Sequence, residues 1–314
     1  MNVIFFGTGE YGVETLEKLI DSEHEVLLVV TQPDSKQGRG HKVKPSPIKI
    51  KALELGVEIY QPENINSTDS IEKLKDKKAD IFIVISYGSI LKNELLNMPL
   101  YKCINSHPSL LPLYRGAAPV QRTLMNGDKK TGVSIIEITE NLDAGDILAQ
   151  EEILIDDSWN FGDLTKKLSK IGGELIIKVL DAYNNNSVIR IKQNENFTYA
   201  KKIINNEKYL NINLSGIEIK NKIRGLFPAL TPMLIFNNQL IGITEVEVSD
   251  DLNEEINVGE VLRIDKKKGI LVKCGIGGIW ILKLKPEGKK EMKFLDYLNG
   301  SSIKVGDKFS SKGE

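Results

Sequence analysis

The chain has 314 residues, 41% hydrophobic and 27% charged, a composition that excludes a disordered chain and is long enough for one large domain or two ordinary ones. With 42 basic and 43 acidic side chains the net charge is −1, which excludes a uniformly basic nucleic-acid-coating protein. No apolar run approaches the roughly 20 residues of a membrane span. The two cysteines, Cys103 and Cys274, and the three histidines, His24, His41 and His107, show no zinc-ligand spacing, so neither a membrane partner nor a metal is expected. The opening MNVIFFGTGEYG reads as a buried strand entering a turn rather than a secretory signal, and a cytoplasmic location is expected.

In chain order, residues 3–6 read as a strand and 11–20 as a helix, with Val13, Leu16, Leu19 and Ile20 forming one apolar stripe. A second strand covers 26–31. Ser46 is placed to cap a helix with Pro47 at its first position, and Gly56 ends it. A short strand at 57–60 and a charged helix at 67–77 lead to the continuously apolar 81–87, a central parallel strand buried on both faces. Then come a brief strand at 103–106, a helix at 118–125 ended by Asn126 and Gly127, strands at 133–138 and 147–155, and a long helix at 164–183. This alternation predicts an α/β fold with a Rossmann-like, doubly wound, mostly parallel sheet over residues 1–190.

Polar, Asn-rich sequence at 184–196 reads as a surface connection, and a linker is expected over 191–206. Beyond it, a helix near 215–226 precedes strand patterns at 234–236, 239–248, 259–264, 269–273 and 278–285. Several short strands in so small a segment predict a C-terminal β-barrel over 207–314, with an oligonucleotide-binding (OB-like) type as one candidate. Charge divides between the halves. Residues 1–190 carry −5 and 191–314 carry +4, and the stretch 263–293 holds ten basic residues against three acidic ones.

Three motifs stand out. Gly7-Thr8-Gly9-Glu10-Tyr11-Gly12 is a literal GxGxxG between the first strand and helix, which suits a dinucleotide pyrophosphate. The acid expected at the end of the second strand instead follows a proline, at Asp34, and Glu10 would repel a phosphate, so a sharp strand-to-helix turn accounts better for the glycines. The segment 31–47, TQPDSKQGRGHKVKPSP, is a long loop rich in basic residues. An anion-binding arm and a solvated charged loop explain it equally. The third motif is Cys103-Ile104-Asn105-Ser106-His107-Pro108-Ser109-Leu110-Leu111-Pro112. Asn105 and His107, two apart, lean to one face at the end of a strand, where open α/β sheets bind ligands. Asp143 and Asp146, in the loop Glu140-Asn141-Leu142-Asp143-Ala144-Gly145-Asp146, read as turn residues beside glycine, and an aspartate from such a neighbouring loop is also what a working histidine needs.

The runs INSHPSLLP, YRGAAPVQ and LDAGD, with TQPD, GRG and KPSPIK earlier in the chain, resemble the folate-dependent formyltransferases over nearly the whole length. The GRG-containing basic loop and the appended barrel point to those members that act on an aminoacyl-tRNA. The resemblance implies transfer of the formyl group of 10-formyltetrahydrofolate to the α-amino group of methionyl initiator tRNA, without a metal. By the same resemblance Asn105, His107 and Asp143 carry the chemistry. Ser109, Leu110, Leu111 and Pro112 contribute to the folate pocket together with Tyr87 and Gly88. Arg39 enters the tRNA acceptor end, with Lys42 and Lys44 on phosphates. A monomer is expected. Departures from the family pattern are Gln37 before GRG, Ser106 in place of a frequent valine, Gly9, and Leu226-Phe227-Pro228-Ala229 where a Trp-Pro pair is usual.

Overall fold

The computed structural model describes residues 1–37, 42–250 and 256–313 and consists of two compact units. The first comprises Met1–Ala117, Lys130–Leu154 and Thr165–Ala200; the second comprises Ala118–Lys129, Ile155–Leu164 and Lys201–Glu314.

In chain order the first unit begins with β1 (Asn2–Gly7), α1 (Val13–Ile20), β2 (Glu25–Val30), β3 (Ser35–Gln37), β4 (Lys42–Lys44), α2 (Pro47–Glu54), β5 (Ile59–Tyr60), α3 (Thr68–Asp76), β6 (Ile81–Ile85), α4 (Asn93–Leu96), β7 (Cys103–His107) and β8 (Arg115–Gly116). After α5 (Pro119–Asn126), which belongs to the second unit, come β9 (Lys130–Glu137), β10 (Ile147–Leu154), α6 (Phe161–Asn184), whose residues up to Leu164 belong to the second unit, and β11 (Tyr199–Ala200). The main sheet runs β10-β9-β7-β6-β1-β2-β5. Its pairings from β7 to β5 are parallel, and β9 and β10 are added antiparallel. The apolar runs of β1 and β6 occupy the middle, where Phe5, Phe6, Ile81 and Phe82 are buried, as sheet positions covered on both faces require. Local signals set the helix starts. The Ser46 hydroxyl accepts from the Lys49 amide at 3.0 Å ahead of Pro47, and the Ser67 hydroxyl accepts from Ser70.

The segment 31–47, expected as a loop, contains a short hairpin in which β3 and β4 pair antiparallel from Ser35↔Lys44 to Gln37↔Lys42. Its stem is tied shut. The Thr31 and Ser46 hydroxyls share a buried hydrogen bond of 2.7 Å, and Lys49 donates to both oxygens of Asp34 at 2.9 and 2.7 Å. Periodicity could not show this, because three-residue strands are too short to display an alternation.

In the second unit, α7 (Gly216–Leu226) starts with a capping box between Ser215 and Glu218 and packs closely on α5. A Cβ on Gly225 would lie 2.6 Å from the Met125 side chain and 2.9 Å from the Gln121 carbonyl. The strands β12 (Met233–Phe236), β13 (Gln239–Ser249), β14 (Val261–Asp265), β15 (Gly269–Lys273), β16 (Gly278–Pro286) and β17 (Met292–Lys293), the helix α8 (Phe294–Leu298) and the strand β18 (Phe309–Ser310) follow. They form an antiparallel sheet ordered β14-β15-β16-β13-β12-β18, with β17 on β16. The sheet curls over a core that includes Leu234, Ile243, Val272, Ile281 and Phe309. A bridge between Glu260 and Lys308, just before β14 and β18, joins its two edges. The basic stretch 263–293 is less uniform than its composition implies. Lys273 is buried and donates to the Cys274 carbonyl at 2.9 Å, and Lys283 pairs with Glu245 at 2.6 Å.

Candidate active site at the end of β7

Two strand ends in the first unit carried sequence motifs. At the end of β1 the glycines serve packing. A Cβ on Gly7 would stand 2.6 Å from the Phe5 ring, and one on Gly12 would stand 3.3 Å from both Ile48 and Phe5. The Thr8 hydroxyl donates to the Tyr87 carbonyl at 2.8 Å and accepts from the Gln32 amide, so the polar groups of this turn hold neighbouring strand ends together.

The end of β7 is different. Period-two alternation turns Asn105 and His107 to one side of the sheet and Ser106 to the other, where its hydroxyl shares a buried hydrogen bond of 3.1 Å with Tyr11. Burial raises the Tyr11 phenol well above its ordinary range, so it remains a neutral partner. His107 is buried, and both its ring nitrogens face acceptors: Nε2 lies 2.9 Å from the Tyr114 carbonyl and Nδ1 lies 3.6 Å from Asp143 Oδ2. The second distance is longer than a hydrogen bond. Asp143 Oδ2 also accepts from the Gly116 amide at 2.8 Å. Asp143 has φ +48°, in the left-handed region, so its backbone is held by its surroundings. Asn105 is half-buried, and its side-chain amide makes no hydrogen bond to a described residue. A half-buried amide on the same strand face as a histidine, with no donor committed to a described residue, can receive a negative oxygen.

The loop 109–112 leaves the end of β7 and is fixed by side chains that sequence reasoning had not singled out. The Ser134 hydroxyl, fully buried on β9, donates to the Ser109 carbonyl at 2.7 Å and accepts from the Leu111 amide at 3.1 Å. Gln150 donates to both Ser134 Oγ and the Leu111 carbonyl, at 2.7 and 3.0 Å. Ser109 is buried with its hydroxyl on the Leu113 carbonyl, Leu111 packs with Ile136 and Ile147, and Leu110 and Pro112 are half-buried. Tyr87 lies near the end of β6, but its ring turns into the core against Phe6, and burial raises its phenol to about 12. Gly88 beside it is exposed. Lys44 is exposed on β4, and Lys42 is placed on the same strand by its backbone. Arg39 lies outside the described residues.

The structure thus brings Asn105, His107 and Asp143 together from β7 and the loop after β9, with residues 109–112 adjoining. It adds Gly116, Ser134, Gln150 and Gln193, the last of which hydrogen-bonds the Asp143 loop. Ser134 alternates with apolar neighbours along β9, and that pattern was the one available signal for it. Among the described residues no group of three or more His, Cys, Asp or Glu side chains could hold a metal ion, and no helix is long and apolar enough to cross a membrane.

Residues 1–180 match the family described as formyl transferase, and residues 202–302 match its C-terminal domain. The chain is similar to the methionyl-tRNA formyltransferase of Dictyoglomus thermophilum, 39% identical over 312 residues that cover 98% of this chain and 100% of that one. In fold it resembles HypX from Aquifex aeolicus, solved with tetrahydrofolic acid, at TM-score 0.66 and 14% identity over 94% of this chain and 46% of HypX. It also resembles WlaRD, a sugar 3N-formyl transferase solved in the presence of dTDP and 5-N-formyl-THF, at TM-score 0.65 and 21% identity over 92% of this chain and 99% of that one.

Proposed function

The chain belongs to the formyl transferase family, and on that premise we propose that it moves the formyl group of 10-formyltetrahydrofolate to the α-amino group of methionyl initiator tRNA, with Asn105, His107 and Asp143 as the reacting site. The observation that carries this reading is the Asn105 amide, without a partner among the described residues, two residues before the His107 that contacts Asp143.

The chemistry follows from those groups. The amine lone pair attacks the formyl carbon, the carbonyl electron pair moves onto oxygen, and a tetrahedral intermediate forms. Asn105 donates to that oxygen, and His107 adds a donor through Nδ1, whose 3.6 Å approach to Asp143 is outside hydrogen-bond range. Collapse breaks the bond to folate N10, which takes a proton while the amine gives one up. Asp143 Oδ1, which accepts no hydrogen bond from a described residue, is the acceptor for that relay, directly or through water. The half-buried Leu110 and Pro112, the exposed Gly88 and the backbone of the 109–112 loop supply apolar walls and hydrogen-bonding groups suited to a flat heterocycle. Arg39, with Lys42 and Lys44, serves the tRNA end, and the protein works as a cytoplasmic monomer.

The test is formyl transfer from 10-formyltetrahydrofolate to methionyl-tRNA, run beside an amino-sugar nucleotide as competing acceptor. Formyl-methionyl-tRNA is the expected product, with Arg39→Ala slowing its formation while folate affinity is kept. Preferred formylation of the sugar, or activity of His107→Ala within threefold of the unaltered chain, sinks the reading.

A further inference from the structure

The Asp143 carboxylate depends on a loop whose backbone is in a left-handed conformation, and something must hold that loop. One side chain is placed to do so. Gln193 Nε2 donates to two carbonyls of the loop, those of Asp143 and Gly145, each at 2.8 Å. Its Oε1 accepts from Arg115 Nε and Nη2 at 3.0 and 2.8 Å. Arg115 is buried, and its guanidinium lies 4.5 Å from the centre of the Phe197 ring. Arg115 also begins β8, which pairs in parallel with β11 through Arg115↔Tyr199 and Gly116↔Ala200. The next residue, Gly116, supplies the amide that the Asp143 carboxylate accepts. Gly116 has φ +118° and leaves only 2.9 Å between the position of a Cβ and the Ala200 carbonyl, so no side chain fits at this approach.

The ring is therefore closed: Arg115 to Gln193, Gln193 to the Asp143 backbone, and the Asp143 side chain back to the residue after Arg115. A primary amide suits the central position, since it donates two hydrogen bonds to the loop and accepts two from a guanidinium. We propose that Gln193 is a positioning residue for Asp143, acting from a segment whose composition reads as a linker. This rests on the reaction proposed above only for its kinetic consequence; the geometric consequence stands apart from it.

Gln193→Met keeps the volume and removes all four hydrogen bonds. Misplacement of a reacting group by about 1 Å costs on the order of 10²-fold, so kcat for formylation is expected to fall about tenfold to 10²-fold, with KM for both substrates within about twofold. Because the loss passes through Asp143, the same change made in Asp143→Asn is expected to lower kcat by less than about twofold further. Amide exchange gives the second readout. The Gly116 amide is expected to lose at least about tenfold protection. The flanking Arg115 and Ala117 amides, bonded to Thr198 and Ala200 at 2.8 and 3.0 Å, are expected to stay protected and report that the fold is kept. A Gly116 amide as protected as in the unaltered chain, or an equal kcat loss in both backgrounds, overturns the proposal. If the unaltered chain does not formylate methionyl-tRNA, the reaction is wrong, and the exchange result still decides the brace.

Discussion

The ends of β1 and β7 lie in one sheet, both follow buried parallel strands, and both carry conspicuous motifs. At β1 the glycines are filled by Phe5, Ile48 and Ile85 packing where side chains would be, and Thr8 satisfies neighbouring backbone groups. At β7 the Asn105 amide bonds no described residue, His107 and Asp143 stand 3.6 Å apart, and the surrounding loops are anchored by Ser134, Gln150 and Gln193. The difference teaches that unspent hydrogen-bonding capacity held on anchored loops, rather than a familiar spacing of glycines, is what singles out the proposed site.

The comparison breaks most readily at Asn105. Removing an oxyanion donor costs on the order of 10²–10³ in rate, so Asn105→Ala is expected to lower kcat by that factor without changing the unfolding midpoint in urea. Gly7→Ala should do the reverse. Overpacking against Phe5 is expected to cost about 1–3 kcal/mol of stability, read by urea unfolding, while fluorescence titration with NADH shows no binding in either form. Saturable NADH binding abolished by Gly7→Ala would restore the dinucleotide reading of that turn.

A smaller effect sharpens the account of the 109–112 loop. Ser134→Ala removes the hydrogen bonds to the Ser109 carbonyl, the Leu111 amide and Gln150, and a loss of folate binding equal to one such bond is roughly 1 kcal/mol. KM for 10-formyltetrahydrofolate is expected to rise by about fivefold to tenfold with kcat nearly kept. Steady-state kinetics at saturating tRNA separate the two.

The smallest effect lies beside the β1 turn, at the hairpin stem. The Gln61 amide and the Lys49 ammonium hold the Asp34 carboxyl below the ordinary carboxylate range. A carboxyl depressed in the folded state adds stability above its unfolded pKa and loses it as pH falls through the folded value. Asp34→Asn is therefore expected to flatten the decline of Tm below about pH 4; an unchanged acid slope would show that the stem bond contributes nothing measurable.

Much of the first unit was legible because its signals are local. Ser46-Pro47 announces α2, the apolar run of β6 announces a central strand, and alternation alone puts Asn105 and His107 on one face. The β3–β4 hairpin, α4, β17, α8 and β18 were not read, since none is long enough to show a period. Lys273 is one of the ten basic residues of 263–293, yet its backbone acceptors, the Cys274 and Gly277 carbonyls, are reached only after β15 and β16 pair and the following turn closes.

The sequence by itself determined the order of the longer strands and helices and the candidate trio of Asn105, His107 and Asp143, because strand alternation, capping and the family's motifs are all written in contiguous residues. Only the tertiary structure decided which polar groups are already engaged. Asn105 has no partner among the described residues, Tyr87 turns inward, α5 belongs with the second unit, and Gln193 holds a loop 50 residues away in the chain. These depend on hydrogen bonds and close packing between segments remote in sequence. An Asn-rich stretch such as 184–196 shows the same composition whether its side chains meet water or brace a carboxylate.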